Sequence, residues 1–217
     1  MSLYQDFQTN QGRAINKWLH YFPAYERHFG PWRNKTLLFI EIGVSFGGSL
    51  QMWHRYLGPY ATIVGIDINP ACSFEEPNVY VRTGDQSDHR FLQSIIDEFG
   101  TPDLVLDDGS HRMSDVRATF DFLYPKLSKN GIYMVEDMHT SYWQEWGGSV
   151  NHPLTFINYS KLNIDKLNAH FSKGQVPIDF ITNNTLNISF YDSIVVYERG
   201  SVPVRTAPSI GQQSFSI

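Results

Sequence analysis

Two short apolar runs in this chain stop abruptly on paired acids. Leu104-Val105-Leu106 ends at Asp107-Asp108 and continues as Gly109-Ser110-His111, and Ile132-Tyr133-Met134-Val135 ends at Glu136-Asp137. A run of this kind reads as a buried parallel strand that delivers polar groups at its C-terminal end, where open α/β sheets keep their sites. The two ends together would aim four carboxylates at one place, a hard-oxygen environment that invites Mg²⁺. His111 lies three residues beyond Asp108, so both side chains can face one substrate, and a histidine titrates near neutrality, as a general base must. The competing use is that Asp107 or Asp108 caps the helix after Ser110. A cap needs one carboxylate, and two strand ends present four.

Further acids stand at other strand ends. Leu37 to Ile42 is an apolar run carrying Glu41, and Gly43, Gly47, Gly48 and Ser49 follow in a glycine-rich turn before a helix from Leu50 to Leu57. Ile63 to Ile66 ends at Asp67, and Val79 to Arg82 is followed by Gly84-Asp85. The glycine spacing is not that of a dinucleotide fingerprint, and acids at successive strand ends would repel a pyrophosphate. They suit a ligand with hydroxyls, an amino group and a positive centre. S-adenosylmethionine has that inventory.

These groups need a sheet to hold them. Helical spacing at Phe91, Leu92, Ile95, Ile96 and Phe99, and again at Val116, Thr119, Phe120 and Leu123, supplies crossovers between the strands. Leu186 to Phe190 and Ile194 to Tyr197 flank a short turn and predict a closing hairpin. The expected fold is therefore a Rossmann-like, doubly wound, mostly parallel seven-stranded α/β sheet with an antiparallel last strand. Residues 1–36 are expected to form a helical cover with a helix across Gly12 to His28, residues 37–200 the core, and residues 201–217 a loosely ordered tail. Tyr142 to Pro153 reads as an active-site loop, and Phe156 to Phe171 as a helix.

A chain of 217 residues with 41% hydrophobic residues can bury one sizeable core. The net charge of -5 and the 17 Lys and Arg give no basic footprint for nucleic acid, which is excluded as a partner on this reading. A single cysteine, Cys72, rules out an internal disulfide framework. No apolar run is long enough to span a bilayer and Met1 to Asn10 has no leader-like core, so a cytoplasmic protein is expected.

Glu41-Ile42-Gly43-Val44 with Gly47-Gly48-Ser49 and then Asp67 resembles motif I and the following acid of class I S-adenosylmethionine-dependent methyltransferases. Gly84-Asp85-Gln86-Ser87-Asp88, Leu106 to His111, and Val135 to Trp143 resemble the magnesium-dependent sugar O-methyltransferases of macrolide and related glycosides, a group related to the cephalosporin hydroxylase type. The resemblance runs from Leu37 to Trp143. It implies S-adenosylmethionine and Mg²⁺ as cofactors and a sugar hydroxyl of a glycoside or carbohydrate as acceptor. Asp108, Glu136 and Asp137 would hold the metal, and His111 would be the base. Glu41, Gly43, Ser49, Asp67, Asp85 and Asp107 would serve the cofactor, Asp107 alternatively orienting the metal ligands. His20, Tyr21 and Tyr25 would close over the cofactor, Tyr142, Trp143 and Trp146 would stack on sugar faces, and self-association is expected. Two rival readings are a non-haem iron oxygenase using His111, His139 and an acid, and a non-catalytic carbohydrate-binding module on the same fold.

Overall fold

The computed structural model describes residues 1–212. Its eight strands are β1 (Leu37–Ile42), β2 (Ala61–Asp67), β3 (Glu75–Glu76), β4 (Val79–Thr83), β5 (Leu104–Asp107), β6 (Ile132–Val135), β7 (Thr185–Tyr191) and β8 (Ile194–Arg199). The helices are α1 (Leu3–Gln8), α2 (Phe22–Phe29), α3 (Gly48–Leu57), α4 (His89–Phe99), α5 (Met113–Leu123), α6 (Phe156–Leu167) and α7 (Phe180–Asn184). The strands form one sheet in the order β3-β4-β2-β1-β5-β6-β8-β7. Pairings β4-β2, β2-β1, β1-β5 and β5-β6 are parallel, and β8 runs antiparallel to both β6 and β7. This is the Rossmann-like, doubly wound sheet that the alternation of strand and helix predicts. None of the helices among the described residues is long and apolar enough to cross a membrane.

The order reverses beside β1. From β1 the chain steps outward to β2 and β4, then returns to lay β5 on the other side of β1. A crevice opens at such a switch point, beyond the C-terminal ends of the strands. Here the ends are stitched together: Gly43 N–H donates to the Ile66 carbonyl at 2.8 Å, and Asp108 N–H to the Ile42 carbonyl at 2.9 Å. Gly43 has φ +91°, and a Cβ there would sit 2.7 Å from the backbone carbonyl carbon of Asp108. Only glycine lets the two strand ends come this close.

The pleat sorts the core into two layers. Leu37 and Phe39 of β1, with Leu106 and Met134, face Tyr21, Tyr25, Phe29 and Trp53 from α2, α3 and the turn before α2. Leu38, Ile40 and Ile42, with Val105 and Val135, face Leu92, Phe120 and Phe156 from α4, α5 and α6. Trp53 is fully buried, with the rings of Tyr25, Phe39 and Phe29 at 5.1, 5.3 and 5.5 Å.

Two expectations are corrected. The sheet has an eighth strand, β3, whose two glutamates pair antiparallel with Val79 and Tyr80 across a turn at Asn78, φ +62°. Two charged residues leave no hydrophobic period to detect. The helix expected across Gly12 to His28 is confined to Phe22–Phe29 and preceded by a 3₁₀ turn at Leu19–Tyr21. Pro23 has no N–H to continue a helix from upstream and sits in the first turn, where none is needed. Before it, α1 is set by a capping box of Ser2 and Gln5. As for the tail, residues 201–212 form no helix or strand, and residues 213–217 lie outside the described residues.

Candidate active site

Alternation along the strands decides where each acid goes. Glu41 shares a face with Phe39, Glu136 follows the phase of Met134, and Asp108 that of Leu106, so all three point toward the N-terminal cover. Asp107 is one residue out of phase and points to the other layer. Of the four acids expected to converge, Asp108, Glu136 and Asp137 meet the cover, and Asp107 stands apart against Gln86 and Tyr133.

On the cover side, an extended segment delivers Lys17 into the middle of the acids. Its Nζ lies 2.6 Å from Asp108 Oδ2, 3.2 Å from Glu136 Oε2 and 3.3 Å from Glu41 Oε1, and its side chain is 3% exposed. Tyr25 donates to Glu136 Oε1 at 2.5 Å and Tyr21 to Asp137 Oδ1 at 2.7 Å. Burial would push the Lys17 ammonium down, but Asp108, Glu136 and Glu41 together outweigh it and hold the pKa well above the ordinary lysine value. Burial pushes the Glu41 and Glu136 carboxyls up, with Asp108 adding to the rise and Lys17 opposing it. Burial and the neighbouring carboxylates also raise the Tyr21 and Tyr25 phenols, which stay protonated as donors.

The outer oxygens are left for chemistry. Asp108 Oδ1 and Asp137 Oδ2 lie 4.0 and 3.6 Å from His111 Nε2. Asp108, His111 and Asp137 each bring one possible metal-ligand atom within 4.8 Å of the others, the one such group of three among the described residues. Asp137 and His111 reach this geometry from left-handed backbone, at φ +53° and +55°, conformations that cost roughly 1–3 kcal/mol each and persist where the surroundings enforce them. Met138 N–H on the Ser193 carbonyl at 2.9 Å braces the first. Beside the second, Ser110 Oγ donates to Asp115 at 2.9 Å and accepts from Arg112 N–H at 3.2 Å. Neither Asp107 nor Asp108 caps α5, whose cap position is Arg112. Trp146 sets its ring edge-on to His111, at 5.8 Å.

Of the expected metal set, Asp108 and Asp137 lie together with His111, whereas Glu136 is 1% exposed with both oxygens engaged by Lys17 and Tyr25. The two-histidine site of the oxygenase reading does not form, because His139 bonds Ser193 through Nδ1 at 3.1 Å and packs against Trp143 and Trp18.

A cavity of about 310 Å³ opens at the switch point, lined among others by Gly43, Asp67, Asp85, Gln86, Gly109 and Arg112. Asp67 holds the glycine turn, accepting from Val44 and Ser45 N–H at 2.9 and 3.2 Å. Asp85 is exposed at the rim and bonds its own turn at Ser87. Three residues expected at the cofactor stand behind this wall. Glu41 accepts from Ser49 Oγ at 2.8 Å and Ser49 lines a separate small cleft with Lys17 and Gly43. Asp107 is 1% exposed and accepts from Gln86 Nε2 and Tyr133 OH, both at 3.1 Å. Burial pushes its carboxyl up to about 7 against those two hydrogen bonds. Gln86 in turn accepts from Ser110 N–H at 2.6 Å, which ties the start of the His111 loop to the cavity wall.

Lys17 and Gln86 make the contacts that hold this wall and the acid cluster, and neither was singled out as a site residue from the sequence. Lys17, Tyr21 and Tyr25 stand at four-residue intervals, but Lys17 precedes the turn at Leu19–Tyr21 and the helix at Phe22–Phe29, so the interval does not mark a helix face.

No protein-family model matches the chain. It is 38% identical over 162 residues to the 8-demethyl-8-alpha-L-rhamnosyl tetracenomycin-C 2'-O-methyltransferase of Streptomyces olivaceus, covering 70% of this chain and 43% of that protein. It is 33% identical over 196 residues to the mycinamicin VI 2''-O-methyltransferase of Micromonospora griseorubida, covering 84% and 49%. The crystal structure of MycE methyltransferase from the mycinamycin biosynthetic pathway, in complex with Mg, SAH and mycinamycin VI, superposes with a TM-score of 0.80 at 30% identity, covering 95% of this chain and 56% of that one. The chain spans about half the length of the curated relatives it matches. By sequence and by fold, the chain is a homologue of the sugar O-methyltransferases that these proteins represent and carries their Rossmann-like methyltransferase fold.

Proposed function

We propose that the chain is an S-adenosylmethionine-dependent, Mg²⁺-assisted O-methyltransferase that acts on a sugar hydroxyl of a glycoside or carbohydrate. The observation that carries this reading is the convergence of Asp108, Asp137 and His111 beside a cavity built on the glycine turn of the switch point. The donor set fits a hard divalent ion, with two carboxylate oxygens facing one side and room for solvent or substrate oxygens to complete the shell. The cavity fits the cofactor: about 310 Å³ is at the low end of the roughly 300–1,000 Å³ usual for small-molecule sites, and its acids suit a diol and a cation.

When bound, Mg²⁺ would lower the pKa of an acceptor hydroxyl and S-adenosylmethionine would supply the methyl group. Asp108 and Asp137 would hold the ion, and Glu136, whose oxygens are engaged by Lys17 and Tyr25, would join them only on being released. His111 Nε2 accepts the proton of the attacking hydroxyl. Asp67 and Asp85, which line the cavity, would hold the cofactor's hydroxyl and amino groups, and Gly43 leaves room for a ligand against the backbone. Glu41, Ser49 and Asp107 act one layer back: the first two seat Lys17 and the start of α3, and the third seats Gln86. The work of the chain is mostly alignment, since in-line displacement requires acceptor oxygen, methyl carbon and sulfur collinear. Trp146 beside His111 and the exposed rings of Tyr142 and Trp143 would offer faces for the sugar.

The test is methyl transfer from labelled S-adenosylmethionine to a panel of glycosides, with and without EDTA. Transfer that EDTA abolishes and Mg²⁺ restores supports the reading. Transfer indifferent to EDTA overturns the metal's part, and a folded protein that binds no S-adenosylmethionine in a calorimeter overturns the whole.

A further inference from the structure

The N-terminal cover does more than close a hydrophobic face. Each acid of the site offers two oxygens, and the cover takes one from Asp108 and Asp137 and both from Glu136: Lys17 takes Asp108 Oδ2, Tyr21 takes Asp137 Oδ1, and Tyr25 and Lys17 take Glu136 Oε1 and Oε2. The oxygens that remain, Asp108 Oδ1 and Asp137 Oδ2, are the two that face His111. Behind them Glu41 Oε1 is fully buried and its partner is the Lys17 ammonium at 3.3 Å.

We propose that Lys17 is a positioning residue that serves as a built-in monovalent cation at the back of the acid cluster, restricting the cluster to a single divalent ion on the His111 side. This rests on the metal reading given above. The physical reason is charge balance. Glu41, Asp108, Glu136 and Asp137 bring four potential negative charges within a few side chains of one another, more than one divalent ion neutralises. Buried carboxylates without a partner cation are unstable, and they would recruit a second ion or take up protons. An ammonium fixed by three carboxylates removes that surplus without occupying the reaction face. It also couples the pieces mechanically, since Lys17 reaches β1 through Glu41, the end of β5 through Asp108 and the end of β6 through Glu136. The spacing of the acids across the two strand ends is then set by one rigid contact from the cover, not by the ion alone.

The experiment is Mn²⁺ uptake by the purified chain, read as bound ions per chain and affinity by electron paramagnetic resonance, with no substrate present and folding checked by circular dichroism. Three proteins are compared: native, Lys17→Met, and the charge-compensated Lys17→Met/Glu41→Gln. The native chain is expected to take up one ion. Lys17→Met is expected to take up a second ion or to bind its ion at least tenfold more tightly. The compensated double variant should return to one ion with affinity within about threefold of native. If the single variant does not fold, the double variant carries the test, and its failing to bind one ion with near-native affinity overturns the proposal. Unchanged stoichiometry and affinity in a folded Lys17→Met overturn it also, as does weakened binding. A native chain that takes up no Mn²⁺ removes the metal reading itself, an outcome distinct from native binding with an unresponsive variant.

Discussion

Replacing Gly43 by alanine should damage the fold and the cofactor cavity together, and the size of the effect can be worked out. Its φ of +91° is disfavoured for any residue with a Cβ, at about 1–2 kcal/mol. The added methyl would also stand 2.7 Å from the Asp108 carbonyl carbon. That neighbour is backbone, so no rotamer change relieves the contact, and overpacking of this kind costs roughly 1–3 kcal/mol, here toward the upper end. Gly174 supplies the control. It has φ +85° and nothing within 4 Å of a built Cβ, so Gly174→Ala incurs the backbone strain without the clash. The difference between the two variants isolates the close approach of the strand ends, at about 3 kcal/mol, which for a domain of this size is roughly 6–12 °C in melting temperature. Thermal unfolding followed by circular dichroism reads it, and calorimetric titration of S-adenosylmethionine into the folded variant at low temperature reads the cavity. Melting temperatures of the two variants within about 3 °C of each other would refute the reasoning, as would native cofactor affinity in Gly43→Ala.

Trp53→Ala should cost roughly 3–5 kcal/mol in urea unfolding, because its ring is fully buried among Tyr25, Phe29 and Phe39. Trp53→Phe should cost much less, below about 2 kcal/mol, since the indole Nε1 is buried with no partner and nothing polar is orphaned by its loss. His28 is held below the ordinary histidine value by burial, with Glu198 at 3.2 Å opposing that shift. A base depressed in the folded state binds fewer protons there than in the unfolded chain, so stability falls as pH drops below about 6.5. His28→Gln should therefore flatten the decline in melting temperature between pH 7.5 and pH 5 relative to the native chain, and an identical slope in both would contradict it.

The sheet was legible because its strands carry continuous apolar runs that end on polar groups, and because Phe91 to Phe99 and Val116 to Leu123 keep a helical period between them. The short strand at Glu75–Glu76 was not legible, since two glutamates carry no period and pair only because Asn78 turns the chain back. In the site, residue types pointed to Asp108, His111 and Asp137, but not to which acids would share a face. Asp107 and Asp108 are neighbours in sequence, yet the pleat sends one to Gln86 and Tyr133 and the other to Lys17. Glu136 looked like a free ligand because its partners, Lys17 and Tyr25, lie 119 and 111 residues away. A contact of that range leaves no local trace.

In the proposed mechanism His111 takes the proton from an acceptor hydroxyl that a cation between Asp108 and Asp137 would hold. The most direct test of this step is single-turnover methyl transfer by His111→Ala, with S-adenosylmethionine and Mn²⁺ affinities measured on the same preparation. The variant's rate should fall by roughly 10²–10⁴-fold with cofactor affinity within about threefold of native. Full transfer by the variant would contradict it.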